Sequence, residues 1–131
     1  MKTSRRKFVT AATVAALGLT FPVHAKKSSG KLIHHVFFWM NNPDDASDKD
    51  KLLEGLNTLR KIDALRDFRI GVPAATEKRE VIESSYDFSL FTAFDDIKGH
   101  DAYQVDPVHL KFIDNYKHLW SKVIVYDVKE I

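Results

Sequence analysis

Tyr103 and His109 stand on either side of an Asp106-Pro107 break, and no other pair in the chain suits proton transfer as well. A histidine with an ordinary pKa near 6.5 takes a proton at neutral pH and returns it later, so His109 is the candidate general base. A phenol hydroxyl donates a hydrogen bond to a carbonyl or enolate oxygen, which makes Tyr103 the electrophilic partner while His109 removes the proton alpha to it. The same two side chains also have a purely structural use, bonding each other or the backbone and fixing the bend at Pro107. His35, on a strand face with Phe37 and Trp39, is the third candidate: it orients a substrate or lines the pocket, or else it is a core histidine satisfied by its neighbours. His34 is adjacent and points to the opposite face, so the two do not form a metal pair. With no HxH, HxxxH or His-carboxylate spacing elsewhere, neither a metal site nor a cofactor is expected. There is no cysteine for thiol chemistry and no Gly-rich phosphate loop.

The elements that must position these residues follow from periodicity. Tyr86 to Phe94 alternates, with Tyr86, Phe88, Leu90, Thr92 and Phe94 on one strongly apolar face, as in a strand. Asp95 is expected to cap the next helix, with Asp96 in its first turn and Ile97, His100 and Tyr103 along one side. Proline suits the first position of a helix and aspartate its cap, so Asp106-Pro107 opens another, carrying Val108, His109, Phe112, Tyr116, Leu119 and Trp120. Upstream, Leu32 to Met40 is apolar on both faces apart from its two histidines, which predicts a strand covered on both sides. The Ile33, His35, Phe37 and Trp39 face is assigned to the pocket, together with Phe88, Leu90 and Phe112. Its other face, with His34, Val36 and Phe38, is assigned to a subunit interface. A helix is expected from about Asp48 to Ile62 behind a Ser47/Asp50 capping box, with Gly55 marking a close contact. A second strand spans Phe68 to Val72, a loop or hairpin arm covers residues 74–85, and a last strand spans Val123 to Val128.

Residues 1–25 have the three parts of an export signal: the charged Ser4-Arg5-Arg6-Lys7-Phe8, an apolar stretch from Val9 to about Leu19, and Val23-His24-Ala25 at a cleavage point. The arginine pair resembles the twin-arginine signal; an ordinary Sec signal or an uncleaved anchor is the alternative. The apolar stretch is too short to span a bilayer, so no stable membrane insertion is expected after its removal. Residues 26–31 then form a linker, and residues 32–131 one domain, exported to the periplasm or beyond the cell. The leader holds four of the 20 basic residues and none of the 18 acidic ones, so the formal charge of +2 becomes −2 in a chain cut after Ala25. That leaves a basic nucleic-acid footprint unsupported, and no nucleic-acid partner is expected.

Four strands with helices on one face make an α+β, ferredoxin-like antiparallel sheet whose other face is left uncovered. A second copy of the sheet is the natural cover, giving a homodimeric α+β barrel. The ordered set His35-Val36-Phe37-Phe38, Gly71, Tyr86-Asp87-Phe88, Tyr103 with Pro107 and His109, and Tyr126-Asp127 resembles the stress-responsive α/β-barrel, or Dabb, family over about residues 32–128. Asp106 departs from the His-Pro-x-His that the family usually carries there. A plant member that cyclises linear polyketides is similar at His35, Tyr103 and His109, which the resemblance implies as substrate-orienting residue, electrophile and base. That member carries a histidine where this chain has Phe88. Two functions stand: binding of a small, largely apolar organic molecule, or enzymatic chemistry of the aldol-cyclase or cofactor-free oxygenase kind.

Overall fold

A computed structural model describes Gly18 and residues 31–131. The export-signal reading of residues 1–25, Gly18 aside, and most of the linker lie outside the described residues. The elements run β1 (Leu32–Met40), α1 (Ala46–Thr58), β2 (Asp67–Gly71), β3 (Phe88–Phe94), α2 (Ile97–Val105), α3 (Pro107–Tyr116) and β4 (Trp120–Lys129), with single 3₁₀ turns after α1 and α3. The strands form one antiparallel sheet in the order β2-β3-β1-β4, and the helices pack on one face, as the α+β ferredoxin-like expectation requires. Among the described residues, no helix is long and apolar enough to cross a membrane.

Local chemistry explains most boundaries. Asp45, not Ser47, caps α1 by accepting from the Asp48 amide at 3.0 Å, so the helix begins earlier than the capping-box reading placed it. It also ends earlier, because Leu59 to Lys61 tighten into a 3₁₀ turn. Asp96 rather than Asp95 caps α2, accepting from Gly99 at 2.8 Å, while Asp95 pairs with Arg66. Asp106 caps α3 through the Val108 amide at 2.8 Å, with Pro107 in the first turn as expected. Trp120 begins β4 instead of continuing the helix. Gly55 does mark a close contact: a β-carbon there would lie 2.7 Å from the Tyr116 ring.

The faces of β1 are the reverse of the assignment made from alternation. Leu32, His34, Val36, Phe38 and Met40 are buried beneath the helices, and His35, Phe37 and Trp39 lie on the open side of the sheet. The strand is apolar on both faces, so its own pattern carries no sign. Register supplies it, because residues directly opposite across strands share a face. Val36 and Phe38 pair with Leu90 and Phe88, which already belong to the core. Any cover for the open face therefore meets His35, Phe37, Trp39, Phe91 and Tyr126, not Val36 and Phe38.

Candidate functional site

Between the sheet and the helices lies a cavity of about 310 Å³ whose walls are largely apolar, among them Val36, Leu90, Phe112 and Val125. Four polar residues, His34, Tyr103, Gln104 and His109, also line it. Tyr103 reaches it from α2 and is 1% exposed, packed against Phe94 with ring centroids 5.1 Å apart. His109, in the first turn of α3, lies 4.7 Å from the Tyr103 ring, so the bend at Pro107 does bring the two together. His34 stands 6.1 Å from the same ring, on the buried face of β1.

The structural alternative for the pair is met by His109 and not by Tyr103. His109 is bonded to the backbone, its Nδ1 lying 3.1 Å from the Gln104 carbonyl oxygen, but no hydrogen bond joins it to Tyr103. The Tyr103 hydroxyl has no hydrogen-bond partner among the described residues and is thus available to a guest in the cavity.

Partners fix the tautomers. A carbonyl oxygen only accepts, so Nδ1 of His109 carries the proton and Nε2 keeps its lone pair. Asp127, opposite His34 in the register, accepts from His34 Nδ1 at 2.6 Å, leaving that ring in the same tautomer. Burial holds the pKa of His109 below the ordinary value; the Gln104 bond and the Asp106 charge oppose it, and the neighbouring His34 and His100 reinforce it. For His34, too, burial outweighs the bond and charge of Asp127, because that carboxylate is half exposed and solvent screens it. Burial pushes the Tyr103 phenol up, well beyond the range in which it would ionise. At neutral pH the cavity therefore presents one neutral phenol donor and two neutral imidazoles.

Of the residues singled out from sequence, Tyr103, His109, Leu90 and Phe112 line this cavity, and Phe88 is buried in the core beside it. His35, Phe37 and Trp39 do not: they lie across the sheet, where Phe37 and Trp39 line a separate 360 Å³ hollow with Tyr86, Lys122 and Tyr126. There His35 packs against Phe37 and Phe91, and burial lowers its pKa. The first-strand histidine of the cavity is thus His34. Sequence reasoning missed it together with its partner Asp127, since only the β1–β4 register reveals that pairing.

Residues 32–130 match the family described as the Stress responsive A/B Barrel Domain, Dabb. The chain belongs to that family. No curated protein matches the chain in sequence. Its fold is similar to that of a Dabb protein from Mesorhizobium loti, with a TM-score of 0.64, 19% identity, and 78% of this chain and 98% of that one covered. A dimeric ferredoxin-like protein of unknown function from Thermobifida fusca is similar at TM-score 0.62 and 18% identity, covering 77% of this chain and 92% of that one. Hydroxynitrile lyase from Passiflora edulis is similar at TM-score 0.66 and 13% identity, covering 79% and 95%.

Proposed function

We propose that this Dabb chain binds a small, largely apolar organic molecule carrying one carbonyl or hydroxyl oxygen, held in the cavity between sheet and helices. The observation that carries this reading is the unpartnered Tyr103 hydroxyl beside two neutral imidazoles in a cavity whose remaining walls, Gln104 aside, are apolar. Apolar walls supply affinity through area removed from water, and a few convergent polar groups set orientation. The molecule acts as a homodimer, its open sheet face covered by a second copy; the relatives from Thermobifida fusca and Bacteroides fragilis are described as dimeric. The twin-arginine-like leader supports export to the periplasm or beyond. Replacing Arg5 and Arg6 with Lys should retain the precursor in the cytoplasm, and unchanged export would point to Sec.

Acid–base catalysis is the second reading, favoured by the His34–Asp127 hydrogen bond, a carboxylate-imidazole arrangement that fixes ring and tautomer. The hydroxynitrile lyase from Passiflora edulis illustrates that an enzyme is built on this fold. In this reading His109 Nε2 takes the proton alpha to a carbonyl, Tyr103 donates to the oxygen as charge develops, and His34 takes the orienting place that His35 held by resemblance.

Native mass spectrometry of the protein purified from its own host tests the binding reading. A dimer carrying a small organic adduct is the expected result, with Trp120 fluorescence quenched saturably by an aryl ketone, since Trp120 lines the cavity. An adduct-free protein whose fluorescence does not respond to a series of such ketones refutes it.

A further inference from the structure

We propose that His34, His100 and Asp127 form a binding site for one divalent transition-metal ion per protomer, beside the cavity. β4 places Asp127 opposite His34, and α2 lowers His100 onto the same spot, with the His34 and His100 ring centroids 4.9 Å apart. One ligand atom from each residue lies within 4.8 Å of the other two. His100 brings the second, independent observation. Its Nδ1 lies 3.1 Å from the Asp101 carboxylate, which accepts the proton there and leaves a lone pair on Nε2. That Nε2 is buried without a hydrogen-bond partner, 3.9 Å from the Asp127 carboxylate. A lone pair facing a carboxylate across this gap is an unfavourable arrangement, and buried polar atoms seldom go unpaired. A proton on Nε2 would not bridge it, because 3.9 Å is too long for a hydrogen bond. A cation between the two satisfies both.

The donor set selects the class of ion. Two imidazoles and one carboxylate suit Zn²⁺ and its first-row neighbours, whereas Mg²⁺ and Ca²⁺ favour all-oxygen surroundings. In a tetrahedral zinc site with bonds of about 2.0 to 2.2 Å, neighbouring donor atoms stand about 3.3 to 3.6 Å apart. The 2.6 Å His34–Asp127 contact must therefore open and the 3.9 Å His100–Asp127 gap must close. The half-exposed Asp127 side chain has room to do both, and its solvent side leaves a position for water. When the ion takes Nδ1 of His34, the proton there passes to Nε2 and the ring stays neutral. Loading thereby changes the free nitrogen of His34 from an acceptor into a donor.

Titrating the full chain with CoCl₂ while recording visible d–d absorption, and with ZnCl₂ by calorimetry, tests the site. One saturable ion per protomer is expected, with no displacement by excess MgCl₂. His100→Ala and Asp127→Asn should each weaken affinity by about tenfold or more, while His118→Ala, an exposed histidine outside the cluster, should leave it unchanged. Far-UV dichroism reports whether each variant folds, and Asp127→Asn, altering a half-exposed side chain, keeps the test decisive if His100→Ala does not. Absence of saturable Co²⁺ binding overturns the proposal, as does binding that survives in both variants or is displaced by Mg²⁺. Ketone quenching of Trp120 is measured separately on metal-free protein, so failure of the metal site and failure of the ligand reading are distinguishable.

Discussion

Tyr103→Phe removes one oxygen from the cavity and leaves everything else that Tyr103 does in place. Its packing against Phe94, His34 and His109 is ring packing, which phenylalanine keeps. The hydroxyl has no partner among the described residues, so no protein hydrogen bond is lost. A buried polar group left unpaired costs about 1–3 kcal/mol, and cavity water offsets part of that. Stability should therefore hold or rise, and each 1 kcal/mol moves the melting temperature by about 4–8 °C in a domain of this size. Ligand affinity should move the other way. Loss of one hydrogen bond to a guest oxygen is worth about 0.5–1.5 kcal/mol, or about a 2- to 12-fold rise in Kd. Calorimetric melting together with Trp120 quenching by an aryl ketone reads both quantities on one variant. A lower melting temperature with unchanged Kd would make the hydroxyl a structural group and not a contact for a guest.

Burial holds His34, His35 and His109 below their ordinary pKa, so the unfolded chain binds protons that the folded chain refuses. Stability should be full above about pH 6.5 and fall as acid carries the solution from there toward the folded pKa values, each ring adding at most about 1.4 kcal/mol per pH unit; urea titrations from pH 7.5 to about 5 would show the slope, and a flat profile would contradict it. Any catalysed proton abstraction should lose rate as pH drops through the depressed pKa of His109, and His109→Ala should lower it by about 10²- to 10⁴-fold with the fold intact, as read from dichroism and initial rates. Gly55→Ala would place a β-carbon 2.7 Å from the Tyr116 ring; overpacking costs about 1–3 kcal/mol and exceeds the roughly 1 kcal/mol that alanine contributes in a helix, so the melting temperature should fall, not rise. Phe37→Asp puts a charge on the open sheet face, and sedimentation should then give monomer where the parent chain gives dimer.

The parts of this molecule legible in one dimension are those fixed by neighbours in sequence. Asp106-Pro107 announces both the end of α2 and the start of α3, because a cap and a first-turn proline act through bonds only a residue or two long. That was enough to bring Tyr103 and His109 together. The order of the elements was legible for the same reason. The choice between Asp95 and Asp96 as cap was not, since adjacent aspartates are equal in type and only the pairing of Arg66 with Asp95 separates them.

What sequence hid was the sign of β1, and with it half of the site. A strand that is apolar on one side declares which face meets the core; a strand of Phe, Trp, Val and Met on both sides does not, and its two adjacent histidines occupy opposite faces in either case. The decision rests on pairs far apart in the chain. Val36 must lie over Leu90, and a buried His34 needs the acceptor that Asp127 supplies from the last strand. The same register that takes His35, Phe37 and Trp39 out of the cavity makes them, with Phe91 and Tyr126, an aromatic surface on the uncovered side of the sheet. An expectation about chemistry and an expectation about association thus exchanged residues while both kept their place in the fold. The polar end of the cavity is consequently richer than two residues: His34 brings Asp127 with it, and through Asp127 it brings His100.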